Sequence, residues 1–468
     1  MKKLLYVIAG MGILLLFALL GCTDELMEQK NDAVNASEKN PSTALEQALA
    51  RAEEFFSQIG ASTRSPRQAA SVLSIVGETT RSELDTLLFL VNYADNQGFA
   101  LLGADPAVMD IYAISPEGHL TAEEFNENPL LADFLDDAIT YAVSAYEIPF
   151  DPITPLQSYK YRNIDTKEPM LNPIAAAWTQ ENPYNTETVD SAGIMCPVGC
   201  VNLSVGMLLS YYRRPNKENY SWQNKVTKKF NFNWDLMLAT DQSDKSYQTV
   251  AEMFAFLGSS ELLDIKYRTT GSDGTGKRIQ PSIALLGGGD KMVFNRDSLA
   301  NNIDSVASFL LHGRTTYVLN RKLNKYKAAP VIVTSYPVST QNSTEQYGHA
   351  WIIDGVVTRE KCLVDMKGVP MFTNPDGSPI YTSALPMWHC VWGFGNKKAD
   401  GWYLYLKDKK ELDLTQYDPF SPKTSMWPTG VSLTTKYANW TIIGGCFPED
   451  LIWIPSIDRA DSPDQPKE

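Results

Sequence analysis

The chain has 468 residues, 21% of them charged and 44% hydrophobic, which is enough for two ordinary domains with their own cores. A formal net charge of −14 argues against nucleic acid or an anionic membrane surface as the target of the folded part. Six cysteines are too few for a disulfide-built scaffold of this length.

The N-terminus reads as a secretory signal segment over residues 1–21: Met1-Lys2-Lys3, then the apolar run Leu4 to Leu20, then Gly21. Leu19-Leu20-Gly21 before Cys22 resembles a bacterial lipobox, which implies acylation of Cys22. A single membrane-spanning anchor is the other reading of a run that approaches spanning length. The expected location is the bacterial cell envelope, lipid-anchored to a membrane through Cys22 on its periplasmic or surface face, with release after processing left open. Setting Cys22 aside leaves five of the six cysteines: Cys196, Cys200, Cys362, Cys390 and Cys446. An odd number outside the cytoplasm leaves at least one thiol unpaired. Residues 22–42 are polar and aperiodic and read as a flexible tether.

Next, Ser42 to Phe56 has the pattern of an amphipathic helix, with Ser42 or Thr43 as its cap and Glu46 three residues on. Leu87–Tyr93 and Phe99–Gly103 flank a polar turn ending in Gly98 and predict a hairpin. Ile111–Ile114 predicts another strand, and Pro129 opens a helix through Leu130, Leu131, Phe134, Leu135 and Ile139. Residues 43–150 therefore form a small α+β unit. Residues 151–173, rich in Pro, Lys, Arg and Tyr with weak periodicity, read as an exposed, cleavable linker. Residues 174–468 form a larger domain. In it a helix follows Cys200, another lies around Val250–Leu257, Gly287-Gly288-Gly289 marks a turn, and strands run over Val331–Tyr336, Ala350–Val356 and Gly401–Leu406. A helix followed by a sheet is an α+β layout.

Cys200 stands directly after Gly199 and before a long apolar run. A thiol at a helix start meets unpaired N–H groups and the positive end of the dipole, which favour thiolate. A buried structural cysteine is the plain alternative. A cysteine nucleophile also needs an imidazole, oxyanion donors and a shield for the imidazole. The four histidines are His119, His312, His349 and His389. Only His349 stands between a glycine and an apolar strand, in Gly348-His349-Ala350-Trp351-Ile352-Ile353-Asp354-Gly355. Gln180, in Trp178-Thr179-Gln180-Glu181-Asn182-Pro183-Tyr184-Asn185, is the oxyanion candidate beside the Cys200 N–H. Trp392, in Trp388-His389-Cys390-Val391-Trp392-Gly393-Phe394-Gly395, is the shielding aromatic.

Together these segments resemble the streptopain-like secreted bacterial cysteine peptidases. Gly199-Cys200-Val201 and Tyr211-Tyr212-Arg213-Arg214-Pro215 bracket that family's nucleophile helix, and Gly348–Gly355 and Trp178–Asn185 match its histidine and upstream motifs. Phe232-Asn233-Trp234-Asp235-Leu236-Met237 matches another, and Tyr267 with Gly271-Ser272 echoes a further one. Asn92-Tyr93 through Asp105 resembles the family's inhibitory propeptide. The resemblance implies a papain-like two-subdomain fold, a helical part plus an antiparallel sheet, preceded by a small α+β propeptide domain. It implies a cysteine endopeptidase zymogen with protein or peptide substrates, its own prodomain as inhibitor and no cofactor. Three departures stand out. Val391 occupies the place of the family's Asn, so an imidazole there needs another support, for which a backbone carbonyl would serve. Asn202-Leu203-Ser204 replaces Ala-Thr-Ala, and residues 357–387 look longer than the usual connection, as a surface hairpin reshaping one rim of the cleft.

Other readings are weaker. Cys196 and Cys200 lack companion ligands at metal-site spacing. Gly271–Lys277 is followed by Arg278 instead of the Ser or Thr of a phosphate loop. A transglutaminase or amidase would use the same dyad. The rival class is a catalytically degenerate surface lipoprotein acting as a protein-binding or protease-inhibitory module.

Overall fold

The computed structural model describes residues 41–63, 65–77, 85–105, 108–121, 124, 129–146, 158–215, 220–224, 226–288, 292–318, 321–335, 348–365, 367–395, 399–405, 441–444 and 446–447. The signal segment, Cys22 and almost all of the tether lie outside them. None of the described helices is long and apolar enough to cross a membrane.

The N-terminal unit runs α1 (Pro41–Gln58), β1 (Ala69–Gly77), β2 (Asp85–Tyr93), β3 (Phe99–Gly103), β4 (Ile111–Ser115) and α2 (Pro129–Tyr146). Helix α1 starts at Pro41, so Ser42 and Thr43 fall inside its first turn instead of capping it. The expected hairpin forms with Leu90 opposite Leu101, and both strands are almost wholly buried. Strand β1 is an unexpected partner of β2. It is largely exposed and serine-bearing, so it lacks the alternation that would mark it in the sequence.

The larger part runs β5 (Ser158–Lys167), α3 (Pro173–Ala176), α4 (Cys200–Tyr212), β6 (Tyr220–Asn224), β7 (Val226–Phe230), α5 (Trp234–Met237), α6 (Asp244–Leu257), α7 (Ile279–Leu285), β8 (Phe294–Ser298), α8 (Ile303–His312), β9 (Arg314–Val318), β10 (Arg321–Tyr326), β11 (Val331–Ser335), β12 (His349–Val364), β13 (Thr382–Val391), β14 (Gly401–Leu404) and β15 (Thr441–Gly444). Eleven strands share one sheet in the order β1-β2-β3-β4-β14-β13-β12-β11-β15-β8, with β5 also on β12. The fold class is α+β, and among the described residues the strand pairs of this sheet are antiparallel.

Side chains alternate across a strand, and here the alternation separates two cores. Ile332, Ala350, Ile352, Val391 and Ile443 face a core built with α4, α6 and α7. Val331, Val333, Trp351, Ile353, Trp388 and Trp392 face the other, which is continuous with the N-terminal unit and α8. Helix α4 is buried from Val201 through Ser210, as a central helix with apolar residues all round must be. It ends at Arg213, which is left-handed at φ 49°, with Pro215 beyond.

The segment read as a linker is in part a strand. β5 pairs with the outer half of β12 from Lys167 opposite Val356 to Ser158 opposite Val364. Gly355 sits where the two strands meet β13, and a Cβ there would lie 2.8 Å from the Lys167 carbonyl oxygen. The long connection is the β12–β13 hairpin, and its outer half holds the N-terminal unit. Arg359 Nη2 pairs with Asp110 at 2.6 Å, with both side chains buried. Tyr161 Oη donates to the Val108 carbonyl at 3.3 Å. On the same side, β4 pairs with β14 through Ile114–Trp402 and Ala113–Tyr403.

Removing one partner of a buried ion pair strands the other charge. Arg359→Met is expected to lower the unfolding free energy of the unprocessed chain by about 3–5 kcal/mol. Adding Asp110→Asn should recover part of that loss. Denaturant titration of both variants checks this, and a single variant as stable as the parent would contradict it.

Candidate active site

Gly199 precedes α4 with φ 89°, in the left-handed region. A Cβ there would also come within 3.2 Å of the Ser272 Cβ. Glycine is therefore required for the chain to turn into the helix against the 271–275 loop. Ser272 Oγ donates to the Pro197 carbonyl and ties that loop to the segment before Cys200. Upstream, Cys196 N–H donates to Thr188 O at 2.8 Å and Val198 N–H to Gln180 O at 2.8 Å. These bonds lay the Gln180 segment beside the start of α4. Trp178 anchors it, buried edge-on against Phe254 of α6 at 5.8 Å.

Cys200 is the first residue of α4 and packs against the core that holds Ala350, next to His349 on β12. The thiol is not acidified in this state. Burial pushes it above its ordinary value, against the lowering effect of the Ala350, Val201 and Cys200 N–H groups. Desolvation thus outweighs the helix-terminus effect expected from sequence.

His349 Nε2 lies 3.0 Å from the Trp392 carbonyl oxygen. A carbonyl only accepts, so Nε2 carries the proton and Nδ1 of the neutral ring is left as the base. Burial lowers His349 to about 4, with the Trp392 carbonyl acting in the opposite direction. Among the described residues, no hydrogen bond joins Cys200 to His349.

The aromatics that flank the imidazole are Trp351, at 6.0 Å and 14°, and Phe394, at 5.0 Å and 26°. Trp392 stands one layer behind, 5.1 Å from Trp351, and touches His349 through its carbonyl. Sequence reasoning assigned the shield to Trp392 and passed over Trp351, which shares a strand face with His349 two residues on. Val391 points into the opposite core with Ile352 and Leu203. Gln180 makes no side-chain hydrogen bond among the described residues.

The Asn202 amide donates to Phe254 O at 2.9 Å and Tyr267 Oη at 3.1 Å, pinning the first turn of α4 to the end of α6. Cys196 is buried and its thiol contacts the Ile194 carbonyl. His389 is held elsewhere. Its Nδ1 is 2.6 Å from Asp354 Oδ1, while Asp354 Oδ2 accepts from Leu171 N–H, fixing the chain after β5 to the sheet. Among the described residues no cluster of His, Cys, Asp and Glu suits a metal. On the far side, Phe134 of α2 packs edge-on to Tyr403 at 5.1 Å, and Tyr403 edge-on to Trp392 at 5.1 Å.

Residues 178–403 match the Peptidase C10 family, and residues 36–141 match the Spi protease inhibitor family. No curated protein matches the chain. Among solved structures, a fragment of prointerpain A from Prevotella intermedia is similar at 16% identity, covering 80% of this chain and 99% of that one, with a TM-score of 0.44. The active interpain A cysteine protease of the same organism is similar at 15% identity, covering 61% and 99%, with a TM-score of 0.35.

A depressed histidine binds fewer protons folded than unfolded, so its contribution is present above the unfolded pKa and lost as pH falls through the folded one. For His349, lowered from 6.5 to about 4, the window is pH 6.5 down to about 4. The unprocessed chain is expected to lose about 3 kcal/mol across it, at ~1.36 kcal/mol per pK unit, and His349→Phe should flatten that part of the curve. Unfolding titrations of both forms at a series of pH values check this.

Proposed function

From a chain that carries a Peptidase C10 domain behind a Spi-type inhibitor domain, and is thereby a cysteine peptidase zymogen, we propose that Cys200 is the nucleophile and His349 its base and acid. The observation that carries this assignment is the placement of Cys200 at the start of α4 against the core that holds Ala350, one residue from an imidazole whose Nε2 is committed to a carbonyl.

In the proposed reaction, Nδ1 of His349 takes the Cys200 proton and the thiolate adds to the scissile carbonyl carbon. The oxyanion is met by the Cys200 N–H and the Gln180 amide. Collapse breaks the C–N bond, and the imidazolium proton leaves with the amine. Water, deprotonated by the same nitrogen, then attacks the acyl-enzyme and releases the acid with the thiol restored. The Trp392 carbonyl takes the orienting role that Val391 has no group to fill. Trp351 and Phe394 keep water off the imidazole.

Latency follows from desolvation. With the thiol raised and the imidazole lowered, both partners are neutral around pH 7. Phe134 reaches Trp392 through Tyr403, so the inhibitor domain bears on the residue that holds His349. Removing that domain lets water reach the layer and favours the thiolate–imidazolium pair.

Peptides and proteins are the substrates, cut as an endopeptidase. The cell-envelope location rests on Lys2, Lys3, the apolar run and Leu19-Leu20-Gly21-Cys22. Cys22→Ser should move the protein from the detergent phase to the aqueous phase in a detergent partition, and an unchanged partition would sink the lipid anchor.

An epoxide thiol probe should label Cys200 once the chain has been cut between the domains, and label it poorly before. Labelling of another cysteine after cutting would overturn the assignment. Cys200→Ala is expected to abolish self-cleavage. Gln180→Ala should lower kcat roughly 10²–10³-fold with KM little changed, as loss of one oxyanion donor does.

A further inference from the structure

We propose that Asp400 is the positioning residue for His349, acting through the backbone of Trp392; this deepens the reading of His349 as the base for Cys200 and rests on it. Two bonds carry the inference. The Trp392 N–H donates to Asp400 Oδ1 at 2.8 Å. The carbonyl of the same residue accepts from His349 Nε2 at 3.0 Å.

Trp392 needs such a hold because it lies past the end of the sheet ladder. Strand β13 stops at Val391, whose sheet partner is Ile352, and Gly393 follows with φ 75°. Asp400 stands immediately before β14, and the antiparallel pairing of Cys390 with Gly401 brings it level with Val391, within reach of the next N–H, that of Trp392. Tyr403 Oη donates to the Ala399 carbonyl and holds the neighbouring residue from the other side. A carboxylate accepting a backbone N–H makes a stronger bond than a neutral acceptor. The residue whose carbonyl orients the imidazole is thus fixed by a charged side chain from the next strand.

The consequence is chemical as well as geometric. A carbonyl facing Nε2–H favours imidazolium over neutral imidazole, and the Trp392 carbonyl acts in that direction on His349. A carbonyl free to drift would hold the ring less well and favour imidazolium less. The active pair would then lose its imidazolium proton at lower pH.

The Trp392 carbonyl cannot be mutated, but its anchor can. The test uses the full chain after processing, with kcat, KM and pH profiles on a peptide substrate and mass-mapped iodoacetamide labelling of Cys200. Asp400→Ala is expected to lower kcat roughly 10–100-fold with KM nearly unchanged, and to move the alkaline limb of the kcat profile to lower pH. Asp400→Asn keeps an acceptor for the Trp392 N–H, so it should stay close to the parent in both readouts. If the alanine variant does not fold, Asp400→Ser, too short to reach the amide, replaces it with the same expectation. An alanine or serine variant with parental kcat and pH profile overturns the inference, and so does an asparagine variant as impaired as alanine. A Cys200→Ala variant that still turns over would instead sink the assignment of Cys200 as nucleophile, so the two failures are told apart.

Discussion

Strand β12 carries the constraint on which the rest depends. Its first residue is His349, and the four that follow, Ala350 to Ile353, alternate between two cores. Ala350 and Ile352 face α4, so the helix bearing Cys200 packs on one side of the strand. Trp351 and Ile353 face the other side, where the inhibitor domain is buried. A slip of one residue would exchange the two sets and put the tryptophan against the nucleophile helix. The same strand, carried outward, gives β5 its ladder and places Arg359 against Asp110. The helix of Cys200, the imidazole of His349 and the inhibitor domain are thus set by one register.

That register also explains why a correctly built pair can be silent. The start of α4 supplies N–H groups that favour thiolate, but burial acts the other way and dominates. The imidazole is in the same position: its carbonyl partner favours imidazolium, yet burial holds the ring neutral. A pair of charges in a site of low effective dielectric gains from mutual attraction only when the geometry is tight enough to repay desolvation. With no hydrogen bond between Cys200 and His349 among the described residues, that attraction is missing and the neutral forms win.

Much of this was legible in the sequence because it is local. Gly199-Cys200 at the mouth of an apolar run, His349 at the head of an alternating strand and the β2–β3 hairpin each follow from patterns a few residues long. Non-local features were not legible. β1 is largely exposed and β5 is polar, and they become strands because β2 and β12 offer edges to pair with. The support for His349 was hidden for a different reason. A carbonyl has no residue code, so the absence of Asn at Val391 was visible while its replacement by the Trp392 backbone was not. Trp351 was readable by period two but was outranked by Trp392 on motif alone.

The joint between the domains shows which forces keep the inhibitor in place. Among the described residues the sheet crosses it by two residue pairs, Ile114–Trp402 and Ala113–Tyr403. At about 0.5–1.5 kcal/mol net per hydrogen bond, so short a ladder sets direction and register more than affinity. Phe99 and Phe134 bury against Tyr403, itself fully buried, and each large side chain removed from water is worth roughly 1.5–3 kcal/mol. The Arg359–Asp110 pair adds little if replaced whole but a great deal if broken on one side, so it acts as a test of fit between the outer hairpin and the inhibitor domain. Affinity therefore resides in the aromatic layer, and that layer ends at the residue whose carbonyl holds His349. What binds the inhibitor domain and what keeps the imidazole dry are the same side chains, so the domain cannot leave without changing the environment of the base.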